Sequence, residues 1–114
     1  MMVTIHSLAC GLFLVAEVEQ ADVSWLEGNG LSHAHVGTKY VIAVYWAAMT
    51  ATTIGYGDVI MHTTIERGYS VFAMVIGAST YAFVTSRLVG MIIYGNRFKS
   101  RYSDIRSELL SLMR

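Results

Sequence analysis

The sequence predicts an all-α membrane protein in which two transmembrane helices flank a short re-entrant helix and a glycine-rich loop. Hydrophobic residues make up 54% of the chain, and its mean hydropathy of +0.50 is high for a soluble domain. Residues 68–85 are eighteen consecutive positions without a charge, close to the length that spans a bilayer. The apolar run 41–49 is too short to span, but it suits a re-entrant helix leading into the loop.

The remaining elements follow from periodicity, charge and turn residues. The N-terminal stretch is apolar and lacks the leading basic residues of a signal peptide, so we interpret it as a helix. Thr63 and Glu66 form a T-x-x-E capping box, which places the start of the last helix near residue 64. The predicted order is an outer helix at 1–17, a loop at 18–38, the re-entrant helix at 39–51, the glycine-rich loop at 52–58, an inner helix at 64–96 and an amphipathic helix at 97–114.

The formal charge is zero but unevenly distributed along the chain. An early segment of the chain carries the acidic residues Glu17, Glu19, Asp22 and Glu27. The C-terminal segment carries the basic residues Arg97, Lys99, Arg101, Arg106 and Arg114. By the positive-inside rule the C-terminus is cytoplasmic and the acidic loop is extracellular, so we expect a multi-pass protein of the plasma membrane. In that loop, Ser24-Trp25-Leu26 is expected to begin an interfacial turn with Trp25 at headgroup depth.

The sequence offers little that is typical of an enzyme. Cys10 is the single cysteine, so there is no disulfide framework. His33 and His35 are a weak metal signal without a third ligand, and we expect them to be solvated loop residues. No nucleophile–base constellation is visible. We therefore expect no catalytic residues, no cofactor and no nucleic-acid partner.

Residues 52–58, Thr-Thr-Ile-Gly-Tyr-Gly-Asp, are the candidate functional element. Gly55 and Gly57 alternate with larger residues, which lets the segment run extended with successive carbonyls turned the same way. Such a segment offers a dehydrated cation a ladder of oxygens. Gly-Tyr-Gly-Asp alone is also typical of a surface turn, but the preceding apolar run favours a loop at membrane depth. The stretch resembles the selectivity filter of potassium channels, with Ile54 at the valine position.

The resemblance implies that backbone carbonyls coordinate potassium, the permeant ion, one site after another. The implied filter residues are Thr53, Ile54, Gly55, Tyr56 and Gly57, with potassium held at the first four and the Thr53 hydroxyl adding the innermost oxygens. One chain supplies one strand of such a filter, whereas coordination needs a ring. A homo- or heterotetramer in a lipid bilayer is therefore implied.

Four residues are expected to support the filter: Tyr45, Trp46, Thr52 and Asp58. Potassium channels carry paired aromatics that pack around the filter. By that resemblance the Tyr45 hydroxyl donates to Asp58, and the Trp46 indole donates to Tyr56 of a neighbouring subunit. Thr52 lies where the helix ends, so its hydroxyl can bond locally. The alternative is that both rings only fill space or anchor at the membrane interface.

The N-terminal helix extends the resemblance. His6, Ala9-Cys10 and Phe13 resemble the outer pore helix of channels related to the ether-a-go-go, cyclic-nucleotide-gated and plant inward-rectifier groups. By this resemblance, residues 1–96 are an ion-channel pore domain and 97–114 begin a cytoplasmic linker helix. A cyclic nucleotide is then a partner only if a nucleotide-binding domain exists in the full gene product. We expect His6 itself to pack or hydrogen-bond against a neighbouring helix.

The chain departs from these relatives at two places. Met61 stands where most of them carry proline, and Ser86-Arg87 stands where their inner helix commonly carries Gly-Asn. A charge at membrane depth is costly, so we predict that Arg87 lies at the cytoplasmic end of the inner helix. Gly77 and Gly90 are candidates for a gating hinge, and close helix packing is the alternative reading.

Three functions remain open from the sequence. The first is a potassium-selective pore subunit. The second is a weakly selective cation channel of the hyperpolarisation-activated or cyclic-nucleotide-gated type, because such relatives also carry Gly-Tyr-Gly. The third is a non-conducting modulatory subunit, because the charge of Arg87 would oppose cation flow if it faced the pore. The stimulus that opens the pore is not encoded in any motif of the chain.

Overall fold

A computed structural model describes residues 1–19 and 23–113. Within these ranges the chain is helical and contains no strand, which confirms the all-α class. The helices are α1 (Met2–Glu19), α2 (Trp25–Gly28), α3 (Val36–Ala51) and α4 (Thr64–Leu112). Part of the predicted loop 18–38, including Asp22, and the predicted last residue of the linker, Arg114, lie outside the described residues.

Helix α1 buries one face, with apolar side chains at helical spacing: Ile5, Leu8, Ala9, Leu12 and Ala16. It continues two residues beyond the predicted end at 17. The extension is anchored because the Glu19 carboxylate accepts a hydrogen bond from the Thr63 hydroxyl at the start of α4. That contact ties the end of α1 to the beginning of α4.

Helix α3 begins at Val36, three residues before the predicted start at 39. The cause is a capping interaction, since the Nδ1 atom of His35 accepts the backbone N–H of Gly37 at 3.1 Å. An N-terminal amide without an intrahelical partner is satisfied in this way. His35 was expected to be a solvated loop residue; it is exposed, and it is also the N-cap of α3.

Helix α4 begins at Thr64, as the capping box predicted. The Thr63 hydroxyl accepts the Glu66 amide at 3.1 Å, and the Glu66 carboxylate accepts the Thr63 amide at 3.2 Å. The helix runs to Leu112 without an interruption at the predicted boundary between 96 and 97. The chain has no proline, so the strongest helix-stopping signal is missing there.

The chain divides into two compact units, Met1–Ala82 and Phe83–Arg114. The hydrophobic core belongs to the first unit, where Leu12, Trp25 and Ala47 are completely buried. The turn predicted at Ser24-Trp25-Leu26 is the start of α2, and the Trp25 ring packs inside this core. The second unit is helical, and its described side chains are exposed except for the half-buried Val84.

Two described helices, α1 and α4, are long and apolar enough to cross a membrane by length and composition. Helix α1 has 18 residues, which at about 1.5 Å per residue approaches the thickness of the hydrocarbon core. Helix α3 has 16 residues and packs against α1. This short helix leads directly into the glycine-rich loop.

Candidate functional site

The loop after α3 has an alternating backbone conformation. The φ angle is positive at Thr53 (61°), Gly55 (59°) and Gly57 (75°), and negative at the two residues between them. A positive φ is unusual for a β-branched residue such as Thr53, and it costs about 1–3 kcal/mol unless the surroundings impose it. The alternating conformation was predicted from the two glycines. No feature of the sequence predicted a positive φ at Thr53.

Three amide groups of the loop donate hydrogen bonds to carbonyls in the last turn of α3. The N–H groups of Ile54 and Gly55 donate to the carbonyl of Met49 at 2.9 and 3.2 Å, and that of Thr53 donates to the carbonyl of Thr50 at 3.1 Å. Among the described residues, no group donates to the carbonyls of 53–56. These oxygens lie in an exposed segment and are available to an external electropositive species.

Helix α3 ends at this loop through Thr52. The Thr52 hydroxyl donates to the carbonyl of Ala48 at 2.7 Å, and its amide donates to the same oxygen at 2.9 Å. This is the local bonding expected for a threonine at a helix end. The remaining carbonyls of the last turn give this end of the helix a partial negative charge, which favours cations nearby.

The structure joins Tyr45 to Asp58 across the loop. The Tyr45 hydroxyl donates to Oδ2 of Asp58 at 2.8 Å, which is the contact that the resemblance implied. Tyr45 lies outside the two candidate spans. Its hydrogen bond to Asp58, aided by burial and the nearby negative charge, raises the pKa of the phenol above its ordinary value. Asp58 is held beside α3 by this hydrogen bond.

Trp46 is buried against α4, with 4% of its surface exposed. Its ring stacks on Tyr69, with 6.4 Å between the ring centroids. Within the described part of the chain the indole N–H donates no hydrogen bond, and the predicted acceptor, Tyr56 of a neighbouring subunit, belongs to another copy. Tyr56 itself is 71% exposed in the single chain.

The return loop is defined as residues 60–63. It is held by the side chains of Asn29 and Glu66. The Asn29 side chain contacts Ile60 twice, donating to its carbonyl at 3.1 Å and accepting its amide at 3.3 Å. Glu66 accepts the amides of His62 and Thr63. The capping box signalled the bond between Glu66 and Thr63, but no local pattern signalled Asn29.

The two hinge candidates have different surroundings. A Cβ added at Gly77 would lie 2.8 Å from the Cα atom of Ala51, at the end of α3, whereas one added at Gly90 would meet nothing within 4 Å. Helix α4 is unbroken at both positions. Gly77 is therefore a site of close packing between α4 and α3.

His6 of α1 contacts Tyr40 of α3 and Cys10 of its own helix. The Nδ1 atom of His6 lies 2.7 Å from the Tyr40 hydroxyl, which confirms the prediction that His6 bonds to a neighbouring helix. Cys10 lies one turn further along α1, with its sulfur 3.7 Å from Nε2 of His6. Among the described residues, no group of three or more His, Cys, Asp or Glu side chains could hold a metal ion.

Comparisons with known proteins agree with this geometry. Residues 2–94 match the family described as ion channel. Potassium channel AKT1 of Oryza sativa subsp. indica is 28% identical over 103 residues, covering 88% of this chain and 11% of the relative. Potassium channel AKT2/3 of Arabidopsis thaliana is 24% identical over 95 residues, covering 82% and 12%.

A third relative is the voltage-gated inwardly rectifying potassium channel KCNH2 of Cavia porcellus, 28% identical over 102 residues and covering 76% of this chain and 8% of the relative. The chain thus spans about a tenth of the length of the curated relatives it matches. The matches confirm the resemblance to potassium-channel pores that was drawn from the sequence.

Proposed function

The chain belongs to the ion-channel family, and we propose that it is the pore-forming subunit of a potassium-selective channel. In this proposal residues 1–96 are the pore domain, α1 is the outer helix, α3 is the re-entrant pore helix, and 52–58 is the filter. Ions pass down their gradient through the filter, so the protein is a membrane transport protein and not an enzyme.

The observation that carries the proposal is the alternating sign of φ from Thr53 to Gly57. In an ordinary strand successive carbonyls point to opposite sides, and reversing the sign of φ at every second residue turns them to one side. The loop amides that donate to Met49 and Thr50 keep those N–H groups away from the oxygen-lined side. A row of unpaired oxygens suits a dehydrated potassium ion.

A tetramer completes the site in this proposal. Ile54 and Tyr56, next to the candidate oxygens, are 57% and 71% exposed in the single chain. Beside them an open groove of about 530 Å³ is lined by α3, the filter and α4, including Met49, Gly57 and Met74. Apolar side chains of α4 also face outward: Val71, Phe72, Met74 and Val75. Exposed apolar surface of this extent, continuous with an incomplete ion site, supports assembly around a central axis.

The proposed orientation places the segment between α1 and α3 outside the cell and the basic C-terminal segment in the cytoplasm, across the plasma membrane. Glu17 and Glu19 at the C-terminal end of α1, and Glu27 in the outer segment, would raise the local cation concentration near the pore. Arg97, Lys99 and Arg101 belong to the inner segment, as the positive-inside rule requires.

The direct test is electrical recording from bilayers that contain the purified chain. With potassium on one side and sodium on the other, a potassium-selective pore gives a reversal potential far from zero, with the potassium side negative. A reversal potential near zero would favour the weakly selective alternative. Absence of current from correctly assembled tetramers would contradict the proposal for the chain acting alone.

A non-conducting modulatory subunit is the second candidate, and Arg87 is the observation that favours it. Its guanidinium lies 5.2 Å from the centre of the Phe83 ring, which stabilises the cation on the helix surface. A pore-facing arginine would oppose cation flow. Co-expression with a conducting relative distinguishes the two: a modulatory subunit changes the partner's current and gives none by itself.

A further inference from the structure

We propose that Glu66, assisted by Asn29, is a positioning residue that fixes the outer end of the filter. The inference rests on the proposed function, since it concerns how the same pore is kept in its conducting form. Glu66 lies nine residues after Gly57 and makes no contact with an ion in this scheme. It acts through the return loop that leaves the filter.

The carboxylate of Glu66 is the centre of a buried hydrogen-bond cluster. The side chain is completely buried. Its Oε1 accepts the Trp25 amide at 2.7 Å, and its Oε2 accepts the His62 and Thr63 amides at 3.0 and 3.2 Å. Carboxylates bind backbone N–H groups more strongly than neutral acceptors do. Thus a single side chain joins the start of α2, the return loop and the first turn of α4.

Every residue of the return loop is anchored by a side chain from outside it or by the capping box. Ile60 is paired on both its amide and its carbonyl with Asn29. The carbonyl of Met61 accepts Nε of Arg67 at 3.3 Å. His62 and Thr63 bond to Glu66. The loop is therefore positioned by Asn29 at the end of α2 and by α4.

The return loop controls the filter because only Asp58 and Val59 separate it from Gly57. Asp58 is held toward α3 by Tyr45, while the return loop is held toward α2 and α4. The outer end of the filter thus lies between two sets of anchors. Releasing the return loop would let the positive-φ segment at Gly57 rearrange, and the outermost carbonyls would lose their alignment.

Glu66→Gln changes one atom of this cluster at nearly constant volume. Three amides need acceptors, and a glutamine amide nitrogen accepts none. In one orientation Gln loses the Trp25 bond, and in the other it loses both return-loop bonds. Buried N–H groups left without an acceptor are costly, so the return loop or α2 is expected to shift in either case.

The experiment compares the wild-type chain with Glu66→Gln and with Glu108→Gln, a matched control that removes the same charge from an exposed position near the end of α4. Currents are recorded in bilayers during sustained opening, at low and high external potassium, and tetramers are counted by size-exclusion chromatography. We expect current decay in Glu66→Gln to be about tenfold faster and to be slowed by external potassium, with Glu108→Gln like wild type.

Unchanged decay in assembled Glu66→Gln tetramers would overturn the inference while leaving the proposed function intact. If Glu66→Gln does not assemble, Asn29→Ala decides, because it frees Ile60 and the Trp25 carbonyl and removes none of the three amide bonds to Glu66. Faster, potassium-sensitive decay in Asn29→Ala supports the inference, and wild-type decay contradicts it. A wild type without potassium-selective current would instead contradict the proposed function.

Discussion

Gly77 of α4 lies directly against Ala51, the last residue of α3. A Cβ at Gly77 would approach the Cα of Ala51 to 2.8 Å and its Cβ to 3.1 Å. The nearest obstacle is backbone, which cannot rotate aside as a flexible side chain can. The proposed inner helix therefore contacts the residue that immediately precedes the proposed filter.

Gly77→Ala is expected to destabilise the pore, although alanine is intrinsically the better helix former by about 0.5–1 kcal/mol. The clash with Ala51 forces α3 and α4 apart, and overpacking of this kind costs about 1–3 kcal/mol. We expect a lower tetramer melting temperature and reduced potassium current.

Gly68→Ala is the matched control. Gly68 lies in the same helix as Gly77, and a Cβ added there would meet nothing within 4 Å. It is expected to leave the melting temperature equal to or above that of wild type. If Gly77→Ala were as stable as Gly68→Ala, the packing assignment would be wrong and the hinge interpretation would gain support.

Gly55→Ala is expected to abolish selective potassium current. Gly55 has φ of 59°, and a side chain in this left-handed region costs about 1–2 kcal/mol for each chain. The cost arises at every copy of the filter, where the carbonyls must remain aligned. Reversal potentials under potassium and sodium gradients measure the outcome.

The control for Gly55→Ala is Gly30→Ala. Gly30 has φ of 70° and open space around it, but it lies outside the filter segment. Both variants therefore introduce the same kind of backbone strain, and only one introduces it among the candidate oxygens. Retained selectivity in Gly55→Ala would contradict the filter assignment.

Arg87 is expected to be reached from the cytoplasm. In a Cys10→Ala background, which removes the native thiol, Arg87→Cys should react with a charged thiol reagent applied to the cytoplasmic side. Glu27→Cys, in the acidic segment, should react only from the opposite side. Modification is measured from the change in current or by mass spectrometry. If Arg87→Cys reacted only from outside, the proposed topology would be wrong.

The parts of the structure that were predictable depend on short stretches of sequence. Thr63 and Glu66 are three residues apart, so their capping box and the start of α4 could be read directly. The helix–loop order around 52–58 follows from one apolar run and two glycines. The early start of α3 at Val36 was missed because its N-cap is His35, and histidine is not among the strong N-cap residues.

The parts that could not be predicted depend on contacts between distant residues. Glu66 and the Trp25 amide are 41 positions apart, and Asn29 and Ile60 are 31 apart. No periodicity or spacing links such pairs, because the chain must fold before they meet. The same reason explains why Trp25 was assigned to the membrane interface and is found in the core.

Tyr45 and Asp58 provide the sharpest test of filter support. Tyr45→Phe removes the hydroxyl that donates to Asp58 at 2.8 Å and preserves the ring. If the hydrogen bond restrains the outer end of the filter, current decay should accelerate several-fold. Asp58→Asn weakens the same contact from the acceptor side and should produce a similar change. Decay rates during sustained opening provide the measurement.

The double variant distinguishes a direct pair from two independent effects. When two side chains act through one shared hydrogen bond, removing the second partner adds little once the first is gone. Tyr45→Phe combined with Asp58→Asn is therefore expected to decay no faster than either single variant. Tyr40→Phe is the control for loss of a phenol on α3, since its hydroxyl contacts His6 and not the filter. Additive acceleration in the double variant would show that Tyr45 and Asp58 act separately, leaving the ring of Tyr45 as packing alone.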